Sequence, residues 1–189
     1  MLQPGALDQL HQVHELNRAF LGLLQSRARQ RRPCLGLPPS AQPALAAAGP
    51  PLLEGVAAFP RALFQLQLGA SARPARPDGY ELDEAEHDLC FSILFAARQS
   101  SRASAYQARL LFGLDSADIE RLRGAALGGL QQLACAPGVL ECAYREQDWF
   151  WRGLITATRP ELRRQLTLMA LQPRISVAWP QRRPPQATA

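Results

Sequence analysis

Apolar residues recur at helical spacing along most of this chain. Leu10, Val13, Leu16, Phe20, Leu23 and Leu24 fall on one stripe, the i, i+3, i+4 pattern of an amphipathic helix. The spacing predicts a helix from Gln9 to about Gln30, capped by Asp8, with residues 1–7 frayed. "RARQRRP" ends it, because Pro33 disfavours helical backbone at Arg32. The arginines there, Arg27, Arg29, Arg31 and Arg32, suit either a phosphate or the negative end of a helix. Pro-rich joints then break the chain into short helices. Ser40 is the expected N-cap of one. Pro50 and Pro51 suit the first turn of another that reaches about Phe59. "RALFQLQL" alternates like a short strand, and residues 69–79 read as a linker of Gly, Ala, Pro and Arg.

A second run begins at Tyr80. A long helix is expected from about Asp83 to Gln99, with Leu89, Phe91, Ile93, Leu94, Phe95 and Ala97 along it. "SSRAS" interrupts it before a helix from Ala103 to Phe112, which Gly113 ends. Asp115 or Ser116 caps the next helix, and another covers Leu127 to Ala134. "VLECAYR" reads as a short strand, and "DWFWRGLI" follows. Arg159–Pro160 opens a last amphipathic helix to about Leu171. Residues 172–189 are expected to be a disordered tail, most plainly from residue 180.

The two runs align with each other. With Gly36–Leu37 placed over Gly113–Leu114, Leu45 falls on Leu122, Leu53 on Leu130, Ala57 on Ala134, Pro60 on Pro137 and Leu63 on Leu140. Glu15–Leu16 falls on Asp88–Leu89 if the first copy lacks four residues there. A duplicated unit can reproduce within one chain the two-fold pairing of a homodimer.

Composition narrows the function more than the fold. The 189 residues are 47% apolar, enough for a packed core. No apolar run nears the ~20 residues that span a bilayer, and the N-terminus lacks the pattern of a secretory signal. A cytoplasmic chain without membrane contact is expected. All 21 basic residues are Arg, which favours planar contacts to carboxylate and phosphate. Net charge is +3 over residues 1–70, −3 over 71–142 and +5 over 143–189. A basic end after an acidic middle fits nucleic-acid contact, and equally a solvated Arg-rich surface.

Candidate chemistry is sparse. Cys34, Cys90, Cys135 and Cys142 form no CxxC pair, so zinc is not expected and the thiols should be reduced. His11 and His14 share a helix face beside Glu15, without an evident third ligand. His87 and Cys90 are spaced i, i+3 inside an apolar stripe that suits core packing better than nucleophilic catalysis. No Gly-rich phosphate loop or paired-carboxylate arrangement occurs. No catalytic, cofactor-binding or metal-binding residue is therefore expected, and the chain is read as a non-enzyme. Trp149, Phe150 and Trp151 are the densest aromatic cluster. Adjacent residues cannot all face one core, so at least one should be open to a partner. Arg145, Arg152, Arg159, Arg163 and Arg164 are the candidate phosphate contacts.

The order of segments resembles the FlhD family, the small subunit of the bacterial flagellar master transcriptional activator. "ELNRAFLGLLQ" (Glu15 to Gln25) and "DLCFSILFAAR" (Asp88 to Arg98) resemble that family's opening helix. "LFGL" at Leu111 to Leu114 resembles its turn, and "AALGGLQQLA" with "LECAYR" its later helix and strand. The match covers about 58 residues in the second copy and about 52 in the more degraded first copy. The tandem arrangement, the Pro-rich joints and the "WFW" segment depart from the family. The resemblance implies an all-α fold, with short strands at most, in which two FlhD-like repeats (8–68 and 80–171) pack as an intrachain pseudo-dimer, or as a homo-oligomer. It implies a transcriptional regulator that joins an FlhC-like partner on duplex promoter DNA. The alternative is an adaptor of a flagellar or secretion system that does not bind DNA. Cys142 falls where the family carries a cysteine capable of an inter-subunit disulfide, although its surroundings also suit a buried apolar filler.

Overall fold

The first helix, α1 (Pro4–Arg29), is the post around which the first half packs. It starts earlier than the Asp8 cap suggests. Its stripe delivers Val13, Phe20, Leu21 and Leu24 to the core with no exposed surface. The protein was described from a computed structural model, which covers residues 4–69, 83–156 and 160–171. The expected linker beyond Gly69, Arg159 and the tail from residue 172 lie outside the described residues.

Two short helices, α2 (Gln42–Ala47) and α3 (Pro50–Ala57), pack on α1. Pro50 opens α3 as expected, since its ring presets the first helical turn. Ser40 is not a cap. Ala41 holds that position without a side-chain bond, and the Ser40 hydroxyl instead donates to Asp148, far along the chain. Strand β1 (Phe64–Leu66) follows.

The second half opens with α4 (Glu84–Ala103). Asp83 caps it, its Oδ1 accepting the Glu86 N–H at 2.7 Å. The break expected in "SSRAS" falls at Ser104, whose hydroxyl accepts the N–H of Gln107 at 3.3 Å. Beyond it, the single turn α5 (Ala105–Gln107) runs into a π-turn over Ala108–Phe112. The Leu111 carbonyl in that turn accepts the Ala62 N–H at 2.8 Å, which ties it to the first half. Gly113 ends the turn at φ 69°, in the left-handed region that glycine enters without steric cost.

Helices α6 (Ser116–Gly124) and α7 (Leu127–Cys135) pack on α4. Asp115 caps α6, accepting the Asp118 N–H at 2.8 Å. Strand β2 (Leu140–Cys142) pairs antiparallel with β1, Phe64 opposite Cys142 and Leu66 opposite Leu140. Two helices complete the chain, α8 (Asp148–Thr156) and α9 (Pro160–Leu171). Among the described residues the two short strands are the whole sheet, so the protein is all-α as expected.

One contiguous apolar core runs through both halves, with Phe64 at its centre, 5.7 Å from the Phe20 ring and 6.3 Å from Phe112. Three buried polar residues tie the elements together. Asn17 donates to the carbonyls of Ala57, Phe59 and Arg61 and accepts the Leu63 N–H at 2.9 Å. Gln25 donates to the carbonyls of Leu45 and Ala48 at the end of α2, the first of which also accepts the Ala48 N–H at 3.1 Å. Arg27 is buried and reaches Glu86 at 2.6 Å and Asp83 at 2.9 Å. Arg27 is therefore internal wiring, whereas Arg29, Arg31 and Arg32 stay exposed. Arg32 also meets Asp83, and Arg29 donates to the Ala46 carbonyl at 2.9 Å.

Candidate functional site

The candidate residues gather where β2 turns into α8. Tyr144 takes a positive φ of 56° at that turn, and its ring lies 4.2 Å from Phe150. The turn starts a helix, in which successive side chains point about 100° apart. Phe150 and Trp151 point inward and are buried, whereas Trp149 is 47% exposed. Phe150 meets Phe59 edge-on at 5.7 Å, and the Trp151 indole donates to the Ala143 carbonyl at 2.7 Å. Of the three aromatic candidates, then, Trp149 alone is open to a partner; Phe150 and Trp151 seat α8 on α2 and α3.

Trp149 and Arg152 are spaced i, i+3 and share the outer face of α8. The Arg152 side chain is 64% exposed, with Asp148 3.8 Å away. Arg145 lies over the turn at Gly36, where a Cβ would stand 3.6 Å from its side chain. Its guanidinium meets Glu141 at 2.9 Å and remains partly exposed. Arg164 is exposed on α9, which packs back on α8 by setting Leu166 over Gly153. Arg159 and the side chain of Arg163 lie outside the described residues. Of the predicted site residues, three arginines and one tryptophan are thus exposed among the described residues. Sequence reasoning missed Leu168 and Met169, which are 67% and 52% exposed on α9. The amphipathic pattern of "PELRRQLTLMAL" marks one buried stripe, but it cannot distinguish that stripe from a second apolar patch facing outward.

No family model, curated protein or solved structure matches the chain.

The thiols are poorly placed for chemistry. Cys142 has no exposed surface, and burial pushes its thiol well above the ordinary value, with Cys34 and Glu141 adding to the effect. An inter-subunit disulfide at Cys142 would require the strand pair to open. Cys90 is pushed up to about 12 by burial, then by Glu86 and Cys135. His87 faces Asp88 at 3.2 Å, so the His87–Cys90 spacing builds no nucleophile pair. His14 is pushed down by burial, then by His11 and Arg18. Among the described residues no three His, Cys, Asp or Glu side chains gather to hold a metal, and no helix is long and apolar enough to cross a membrane.

Proposed function

We propose that this chain is an FlhD-like transcriptional regulator, non-enzymatic, built as a duplicated unit whose copies pack as an intrachain pseudo-dimer. The observation that carries the reading is the strand register. A shift of 77 residues carries Phe64 to Glu141 and Gln65 to Cys142. The ladder pairs Phe64 with Cys142 and Gln65 with Glu141. Exchanging the two halves turns each pair into the other, as a two-fold axis through the ladder requires.

Packing supports the same exchange. Helix α1 lies on α2 and α3 as α4 lies on α6 and α7. Arg29 donates to the Ala46 carbonyl, and its counterpart Arg102 donates to the Arg123 carbonyl at 3.4 Å. The four residues that the first copy lacks fall between Arg102 and Gly113, where α5 and the π-turn lie.

On this reading Trp149 meets an FlhC-like partner, while Arg145, Arg152, Arg159, Arg163 and Arg164 face the phosphates of duplex promoter DNA. The second reading, an adaptor of a flagellar or secretion system without DNA contact, draws on the exposed Leu168 and Met169, which suit a protein surface better than a phosphate backbone. Co-purification with FlhC-type proteins, followed by a mobility shift on promoter duplex, separates the two. A complex that retards DNA supports the regulator. A stable complex that leaves DNA unshifted moves the function to the adaptor.

A further inference from the structure

We propose that helices α6 and α7 form a docking face for α9 of a second copy of this chain. The inference rests on the duplication reading, because the reference is the matching face of the first half. There Pro38, Ala41, Val56 and Phe59 are buried, and α8 packs on α2 and α3. Their counterparts under the 77-residue shift are Asp115, Asp118, Leu133 and Ala136. Asp115 is exposed and the other three are half-exposed. Among the described residues no third helix packs on α6 and α7 as α8 does on α2 and α3.

The substituted residues say what fits this face. Two apolar positions have become acids, while Leu133 and Ala136 keep an aliphatic floor. Burial and the charge of Asp115 push the Asp118 carboxyl up, with Arg121 opposing, so a further cation nearby would be welcome. The complement is an amphipathic helix with an aliphatic patch and a basic flank. Helix α9 is one: Leu166 holds it to α8, and its outer side shows Leu168, Met169 and, one turn before Leu168, Arg164. Its acid, Glu161, lies in the first turn, where the helix dipole compensates it. In its own chain α9 is held on α8, which sits on the first half, so its outward side is offered to another molecule. Charge agrees, with Asp115, Asp118 and Glu120 against Arg121 and Arg123 on the α6–α7 segment, and Arg163 and Arg164 against Glu161 on α9. A reciprocal exchange of α9 gives a closed two-fold dimer.

Light scattering of the full chain across a concentration series tests this. The expected result is a particle of twice the 20.8 kDa chain mass that weakens with added salt. Leu168→Asp, at an exposed position, should raise the dissociation constant about tenfold or more with an unchanged circular dichroism spectrum. Asp115→Asn keeps the cap of α6 and should also favour the monomer. A wild-type chain that stays monomeric overturns the inference, as does a dimer indifferent to both substitutions. A folded monomer that still retards DNA with its partner would sink this inference and leave the regulator reading standing. A dimer that never binds DNA would do the reverse.

Discussion

The Arg27 guanidinium lies 2.6 Å from the Glu86 carboxylate, and both side chains are almost wholly out of solvent. This contact joins the end of α1 to the start of α4, and so the two halves. Removing one partner leaves the other charge buried without its main counter-ion. Arg27→Ala should therefore cost about 3–5 kcal/mol, whereas an apolar replacement of both residues should cost much less. Urea denaturation of the single and double variants measures the difference.

The same cluster predicts how stability responds to acid. Burial alone would raise the Asp83 carboxyl, but the Glu86 N–H, Arg27 and Arg32 outweigh it and hold the group below its ordinary 3.8. A depressed acid stabilises the fold above the unfolded-state value and loses that contribution as pH falls through the folded-state value. Stability should drop below about pH 4, and Asp83→Asn should flatten the part of the drop that this group supplies. Thermal melts between neutral and acidic pH provide the test.

Asn17 gives a sharper case. It donates to three carbonyls and accepts one N–H, all within the core. Asn17→Asp keeps the acceptor and sets a carboxylate against three carbonyl oxygens. The variant should lose at least about 2 kcal/mol at neutral pH and recover part of it in acid, when the carboxyl regains a donor. Asn17→Leu should be destabilised at every pH.

Thiol accessibility should separate the four cysteines. Cys135 is exposed, while Cys34, Cys90 and Cys142 are buried. Burial also pushes the thiols of Cys34, Cys90 and Cys142 up, Arg27 partly opposing this at Cys34. A disulfide reagent should titrate one thiol quickly in the native protein and the remaining three only on unfolding. Fast labelling of Cys142 would show that the strand pair opens readily.

Local punctuation was legible in the sequence. Asp115, Gly113 and Pro50 act within a few residues of themselves, so their roles follow from the chain alone. Ser40 departs from the expected cap because its partner, Asp148, is brought close only by the packing of α8. Arg27 does stand in the last turn of α1, as expected, but its carboxylate partners lie in the other half, out of reach of local spacing. The "WFW" segment shows the division most clearly. Its composition says that three aromatics cannot share one face. Only the seating of α8 on α2 and α3 decides that Trp149 is the one left outside.

That exposed tryptophan separates packing from recognition. Trp149→Ala should change stability by no more than about 0.5 kcal/mol, as surface substitutions do. It should nevertheless weaken capture of the protein partner about tenfold, since exposed tryptophans anchor interfaces. Trp151→Ala should instead cost about 3–5 kcal/mol of stability, for its indole is wholly buried and bonded to Ala143.

The regulator reading is tested most directly by titrating fluorescent promoter duplex with the partner-bound chain at two salt concentrations. The wild-type complex should bind with an affinity that falls steeply as salt rises, and Arg145→Ala with Arg152→Ala should lower the salt slope by roughly one unit each. Binding that is absent at low salt, or a slope that both substitutions leave unchanged, would contradict it.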